Sequence, residues 1–239
     1  MAASFKVLVF TPIWGRHKVV KIWKEGIDRI NAYWPDMFEF IPFAVCSTKE
    51  DVLFIESIGV NYTISDNDQL GKKHNEGLEA TKNIEYDYIV QLGSDDVITN
   101  YYLHYAAHAM QNDYDVFGVD NLLFWSIAKK EGKLFNISNG KNKVVGAGRF
   151  ISKQAITECK FKLWIDDLQK GLDYVSQCKL ETKGYDTHII RTDETPVIDF
   201  KTEVNIWKYD NFSGQKTNKQ YLTTLIGKKE LDAIASAEN

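Results

Sequence analysis

Short apolar runs alternate with segments of helical period through the first half of the chain. Phe5 to Phe10 is an apolar, β-branched run ended by Thr11-Pro12, and it predicts a buried strand. Val19, Val20, Trp23, Ile27, Ile30 and Trp34 then recur at helical spacing until Pro35 stops the helix. Phe38 to Cys46 predicts a second strand, Asp51 to Ser57 a helix and Val60 to Ile64 a third strand. A helix over Leu70 to Asn83 and a fourth strand over Tyr86 to Leu92 follow. Strands separated by helices predict a mostly parallel central sheet flanked by helices. Ligands of such sheets sit beyond the carboxyl ends of the strands, where Thr11–Arg16, Cys46–Ser47 and Gly93–Asp96 fall.

The second half is less regular. A helix is expected over Tyr101 to Gln111 and a strand over Val116 to Val119. Leu122 to Ala128 and Lys133 to Ile137 flank the turn Lys130-Glu131-Gly132, which predicts a hairpin. Ser152 is placed to cap a short helix, and Asp173 to Lys183 predicts a helix stopped by Gly184, with a strand over Thr187 to Ile190. With no repeat or linker in view, the expectation is one α/β domain over residues 1–227 and a loose tail over 228–239.

Composition narrows the class. A chain of 239 residues with 44% apolar residues can bury a sizeable core. No apolar run is long enough to cross a bilayer, so no membrane anchor is expected. Cys46, Cys159 and Cys178 are odd in number and lack metal-ligand spacing, which fits reduced thiols in a cytoplasmic protein. The net charge of −4 hides an asymmetry: Lys129 to Lys162 holds nine Lys or Arg against two acidic residues. That segment is either a site for an anionic partner or a solvated hairpin.

The chemistry concentrates where an apolar strand runs into Asp95-Asp96. Two adjacent carboxylates repel unless a cation or donors compensate them, and hard oxygen ligands suit Mg²⁺ or Mn²⁺ bridging to a diphosphate. The plainer alternative is a surface turn in which Asp95 caps the next helix.

Thr11-Pro12…Arg16, then Leu70-Gly71-Lys72…Asn75-Glu76-Gly77-Leu78, then Asp87 through Asp96 form an ordered series. It resembles the nucleotide-binding half of GT-A glycosyltransferases, above all the large inverting, family-2-like group with an Asp-x-Asp-Asp signature. The resemblance implies a nucleotide-binding half over residues 1–119 and an acceptor-side half over 120–227 with a smaller antiparallel hairpin part. It implies that Thr11, Pro12, Arg16, Lys72, Asn75 and Asp95 bind the nucleotide-sugar, and that Asp96 and Asp95 hold the divalent metal. Gly93 stands where the family places its first Asp, and Ser47 where an acidic residue commonly pairs with uracil. Downstream, Leu172-Asp173 opens a helix and Gly184-Tyr185 follows at the family's spacing, which makes Asp173 the general base. Leu172 replaces the family's Glu, and Asp166 and Asp167 are the fallback bases.

The activity so implied is metal-dependent, inverting transfer of a hexosyl or pentosyl group from a nucleotide-sugar donor to a hydroxyl of a soluble acceptor. The acceptor expected is a glycan, with a hydroxylated base in phage DNA as the alternative. A nucleotidyltransferase and an inactive nucleotide-sugar-binding module are the rival functions. His74 is a neighbour of the nucleotide helix; His104 and His108 read as a helix face, and His188 as a core residue of its strand. Towards the C-terminus, Lys201 is a candidate to screen the leaving diphosphate and Trp207 to stack on a sugar.

Overall fold

The structure is a computed structural model that describes residues 5–137, 143–202 and 208–237. Lys141 and Asn205-Ile206-Trp207 lie outside the described residues. The first half runs β1 (Phe5–Pro12), α1 (His17–Tyr33), β2 (Phe38–Cys46), α2 (Lys49–Ser57), β3 (Asn61–Ile64), α3 (Leu70–Ala80), β4 (Tyr88–Gln91), β5 (Asp96–Ile98), α4 (Asn100–Gln111) and β6 (Val116–Val119). The second runs β7 (Asn121–Ser126), β8 (Glu131–Asn136), β9 (Arg149–Ser152), α5 (Lys153–Glu158), α6 (Leu172–Thr182), β10 (Thr187–Ile190), β11 (Val197–Lys201), β12 (Gln215–Thr217), α7 (Lys219–Leu225) and α8 (Lys228–Ala237).

A seven-stranded sheet has the order β10-β6-β9-β4-β1-β2-β3. Only β9 runs antiparallel, against both β4 and β6. β1 pairs in parallel with β2 on one side and β4 on the other, so the chain leaves β1 one way and returns on its opposite flank. Such a reversal opens a crevice at the strands' carboxyl ends. Val7 to Phe10 and Ile89–Val90 are buried on both faces, as strands covered by helices on each side must be.

The expectation of a single GT-A-type sheet with a hairpin appendage is overturned. A second sheet of five strands, β12-β8-β7-β11-β5, gives a two-lobed, two-sheet architecture. It has its own core, in which Val97, Leu123, Trp125, Ile198 and Phe200 pack with Val19 and Ile22 of α1. The pattern misses it because β5 and β12 are three residues each. Moreover, β5 is held by β11 a hundred residues away in an antiparallel ladder, Ile98 opposite Val197 and Asp96 opposite Asp199. The chain crosses from one sheet to the other within Leu92–Asp95.

The tail is also corrected. Residues 228–237, expected to be loose, form α8, which packs on α1 and buries Glu230, Ala233 and Ile234. The buried Glu230 accepts from Arg29 Nε at 2.6 Å, an ion pair that fixes the helix to the domain.

Candidate active site

Two adjoining cavities, of about 670 and 590 Å³, open at the carboxyl ends of β1 and β4. Pro12, His74, Gly93, Asp96, Asp199 and Lys201 line both, so they form the wall at which the two meet. The first has Arg16, Asn67, Lys73, Ser94 and Asp95 in its lining and Trp14 at its rim. The second takes its lining from the second sheet, with Phe124, Phe135 and Phe212 on one side and Asp173 on the other.

The loop after β1 is shaped by Asp51. Gly15 and Arg16 both adopt positive φ, and the Gly15 amide donates to Asp51 Oδ1 at 2.8 Å. His17 Nε2 lies 2.9 Å from the same oxygen, and Asp51 completes a capping box with Thr48 on α2. Burial pushes the Asp51 carboxyl up, but the bonds from His17, Gly15 and Thr48 outweigh it and hold the group below its ordinary range. The loop so held aims Arg16 across the crevice: Nη1 donates to Asp95 Oδ2 at 3.0 Å and Nη2 to Ser94 Oγ at 2.8 Å.

Asp95 and Asp96 therefore differ in circumstance. Asp95 is paired with Arg16, whereas Asp96 begins β5, is buried, and accepts from the Gly93 amide at 2.6 Å. Asp95 caps no helix; Thr99 is the N-cap of α4. Asp199 stands opposite Asp96 in the ladder, bonded to Lys201 Nζ at 2.6 Å. Its Oδ1 is buried without a hydrogen-bond partner among the described residues. Burial raises the proton affinity of Asp96, and the charges of Asp199 and Asp95 raise it further. Asp199 is raised as well, by burial and then by Asp95, against the pull of Lys201. Gly93 is explained by the same crowding: a Cβ there would lie 2.8 Å from both the Asp95 and Asp96 carboxylates.

Buried Asp96 and part-buried Asp199, with an orphaned oxygen and too little compensating charge, fit a hard divalent cation. Among the described residues no group of three His, Cys, Asp or Glu encloses a metal by itself. Mg²⁺ and Mn²⁺ suit such a partial donor set, since Mg²⁺ commonly keeps waters and takes substrate phosphates as ligands.

Across the wall, Asp173 lies in the first turn of α6, with Gly171 and not Asp173 at the N-cap. Its position is fixed from below by Arg149, which is fully buried. Arg149 Nη1 donates to the Asp173 carbonyl at 2.9 Å, Nη2 to Gln91 Oε1 at 2.6 Å and to Ser176 Oγ at 2.5 Å. Gly146 closes the other side; a Cβ there would sit 2.0 Å from Asp173 Oδ1. His74 Nδ1 meets the Leu70 carbonyl at 2.7 Å, which only accepts, so the neutral ring carries its proton on Nδ1 and leaves Nε2 an acceptor. Burial pushes His74 down to about 4.

Of the residues singled out by sequence, Pro12, Arg16, Asp95, Asp96, Asp173 and Lys201 gather around the two cavities. Thr11 is buried beneath them, its hydroxyl without a partner among the described residues. Lys72 faces outward towards Glu76 at 3.7 Å. Asn75 is fully occupied by the 163–166 segment, donating to the Trp164 carbonyl and Asp166 and accepting from the Leu163 and Trp164 amides. Asp166 is held low by Lys162 and Asn75, away from both cavities. His188 is exposed and stacked on Tyr114 at 4.0 Å, not in the core. The residues that sequence reasoning passed over are Asp199, whose signal was only its place two before Lys201, and Lys73. Lys73 is buried, donates to the Ile13 carbonyl at 2.7 Å and Asn67 Oδ1 at 3.0 Å, and is pushed down to about 8 by burial.

The basic segment does not form one patch. Arg149 is buried, Lys133 donates to the Phe212 carbonyl, Lys153 to the Ile84 carbonyl, and Lys129 and Lys162 pair with Asp210 and Asp166.

No protein-family model and no curated protein sequence matches the chain. Among solved structures, S. aureus TarS 1–349 is similar with a TM-score of 0.56 at 16% identity, covering 82% of this chain and 60% of that one. TarS 1–349 in complex with UDP-GlcNAc gives 0.55 at 16% identity, covering 84% and 60%. Its complex with UDP gives 0.53 at 16%, covering 82% and 61%. The chain thus spans about 60% of the length of these structures, and at such identity the likeness is one of fold. The assignment to a single-sheet GT-A, family-2-like domain gives way to a two-sheet architecture similar to that of TarS.

Proposed function

We propose that this chain is a glycosyltransferase that moves a sugar from a uridine diphosphate sugar to an acceptor hydroxyl. The observation that carries the reading is the opposition, across one wall, of an under-compensated acidic cluster and a single carboxylate, Asp173. The fold supports it, since TarS shares the architecture and has been solved with UDP-GlcNAc. The diphosphate occupies the cavity beside Arg16, where Arg16, Lys73 and Lys201 supply cationic donors to its oxygens. Asp96 and Asp199, with Asp95 beside them, would hold a Mg²⁺ or Mn²⁺ ion, which would neutralise charge on the diphosphate.

Asp173 accepts the proton of the acceptor hydroxyl. The acceptor oxygen bonds to the anomeric carbon as the bond from that carbon to the diphosphate oxygen breaks, and the nucleotide leaves with the electron pair. Attack from the face opposite the diphosphate inverts the anomeric centre. A base so placed contributes roughly 10²–10⁴-fold in rate.

Calorimetric titration with UDP-GlcNAc tests the donor half. Binding is expected with Mn²⁺, and at least tenfold weaker with chelator or in Asp96→Asn, whose melting temperature stays near that of the wild type. Equal affinity in all three would remove the assignment.

A further inference from the structure

The two cavities differ in chemistry, and the difference bears on the acceptor. In the Asp173 cavity the rings of Phe124, Phe135 and Phe212 form a cluster, with centroids 3.8 Å apart for Phe124–Phe212 and 5.4 Å for each of the other two pairs. Val144 and Val145 extend the apolar wall, and Lys201 Nζ stands over the Phe124 and Phe212 rings at 4.8 and 5.7 Å; Asp96, Asp199 and Lys201 are shared with the other cavity, whereas Asp173 lines this one alone. A polyhydroxylated acceptor seated on these rings would turn hydroxyls towards carbon that offers no hydrogen bond in exchange for water. A flat apolar body loses nothing there and gains ring contacts. The lysines and arginine of the basic segment do not compensate, since most are paired, spent on carbonyls or buried elsewhere.

We propose that the acceptor is an alcohol carried on a planar aromatic or heteroaromatic ring, seated in the Phe124–Phe135–Phe212 cluster with its hydroxyl at Asp173. This rests on the transferase reading. The hydroxyl proton passes to Asp173, the new bond joins the alcohol oxygen to the anomeric carbon, and the nucleoside diphosphate departs. The ring can belong to a free aryl alcohol or to a hydroxymethylated base; the chemistry recognised is the same.

The test uses the full chain with Mn²⁺ and UDP-GlcNAc, and four probes: benzyl alcohol, a hydroxymethylpyrimidine nucleoside, methyl glucoside and glucose phosphate. Saturation-transfer NMR reads probe binding and a coupled assay reads UDP release. The two ring alcohols are expected to bind and to raise UDP release at least tenfold over the donor alone, and the relative response to the two distinguishes the sources of the ring. The two polyols are expected to do neither. Phe135→Ser, and independently Val145→Asn, should weaken binding of the ring alcohols at least fivefold, and by more than they alter UDP-GlcNAc binding. Polyols that bind or react as well as the ring alcohols would overturn the proposal while leaving the transferase reading intact. Ring alcohols that bind while UDP-GlcNAc does not would overturn the transferase reading and retain the ring site.

Discussion

Asp173 is held by its backbone carbonyl on Arg149 and by the bare Cα of Gly146 against its carboxylate, so its place does not depend on its own charge. Asp173→Asn therefore keeps the geometry and loses only the ability to take a proton. The expected outcome is transfer reduced by roughly 10²–10⁴-fold with UDP-GlcNAc affinity unchanged, read from single-turnover rates and calorimetry. Near-normal turnover would remove Asp173 from the role. His74 supplies a second prediction, in stability. Its folded pKa is pushed down by burial to about 4 from the ordinary imidazole value of about 6.5, so between these values the unfolded chain binds the extra proton. Stability from this group is present above about 6.5 and lost as pH falls to about 4. His74→Gln lacks that loss, so its melting temperature, relative to wild type, should rise as pH is lowered through this window. A constant difference would show that the ring carries no such penalty.

At the scale of the element, a one-residue step on a helix separates what sequence conveys from what it hides. The Gly-x-x-x-Asn-x-Gly pattern of α3 correctly places the helix beside the crevice, because Gly71 and Gly77 permit backbone approach to Ile165 and to Phe10 and Val45. It does not tell which lysine faces inward: Lys73 is buried at the cavity and Lys72 points to Glu76. Neighbouring helical residues diverge by about 100°, so an error of one position exchanges solvent for site. Asn75, which the family resemblance assigns to the nucleotide, instead staples the 163–166 segment to α3 with its amide. Arg149 was counted among surface charges and is the buried tie between β9, β4 and α6. Arg149→Met would leave the Gln91, Asp173 and Ser176 acceptors without their donor. A loss of roughly 1–3 kcal/mol for each acceptor left buried and unsatisfied is expected, measured by urea denaturation, together with loss of transfer as α6 shifts. A variant that unfolds at the wild-type urea concentration would contradict this role.

For the whole molecule, the parallel half was legible because β1, β2 and β4 are largely apolar runs separated by helical segments. Of the second sheet only the β7–β8 hairpin was, since the other ladders join β11 to β5 and to β7 across long separations and no local period encodes that pairing. The consequence for the site is direct: Asp199 meets Asp96 only through that ladder, so half of the acidic cluster was invisible from the chain alone. α8 was misjudged for a related reason. Its buried side, Glu230, Ala233 and Ile234, contains one charge and one small residue, which reads as solvated until Arg29 is seen beside it. Arg29 spans elements: Nε meets Glu230, Nη2 donates to the Ile98 carbonyl at 2.5 Å, and Nη1 reaches Asn100. Through these contacts α8 braces α1 against the end of β5, the strand that begins with Asp96. A chain ending at Gly227 would leave Arg29 buried without its carboxylate and expose Ile234. Breaking such a buried pair costs roughly 3–5 kcal/mol, which for a domain of this size corresponds to a fall of about 6–20 °C in melting temperature. Scanning calorimetry of the shortened chain, beside Glu230→Gln in the full one, checks both parts of the argument. The truncation should lower the melting temperature by more than the point substitution, because it removes the apolar contact as well as the charge. A shortened chain that melts with the full one would restore the loose tail and detach α8 from the support of β5.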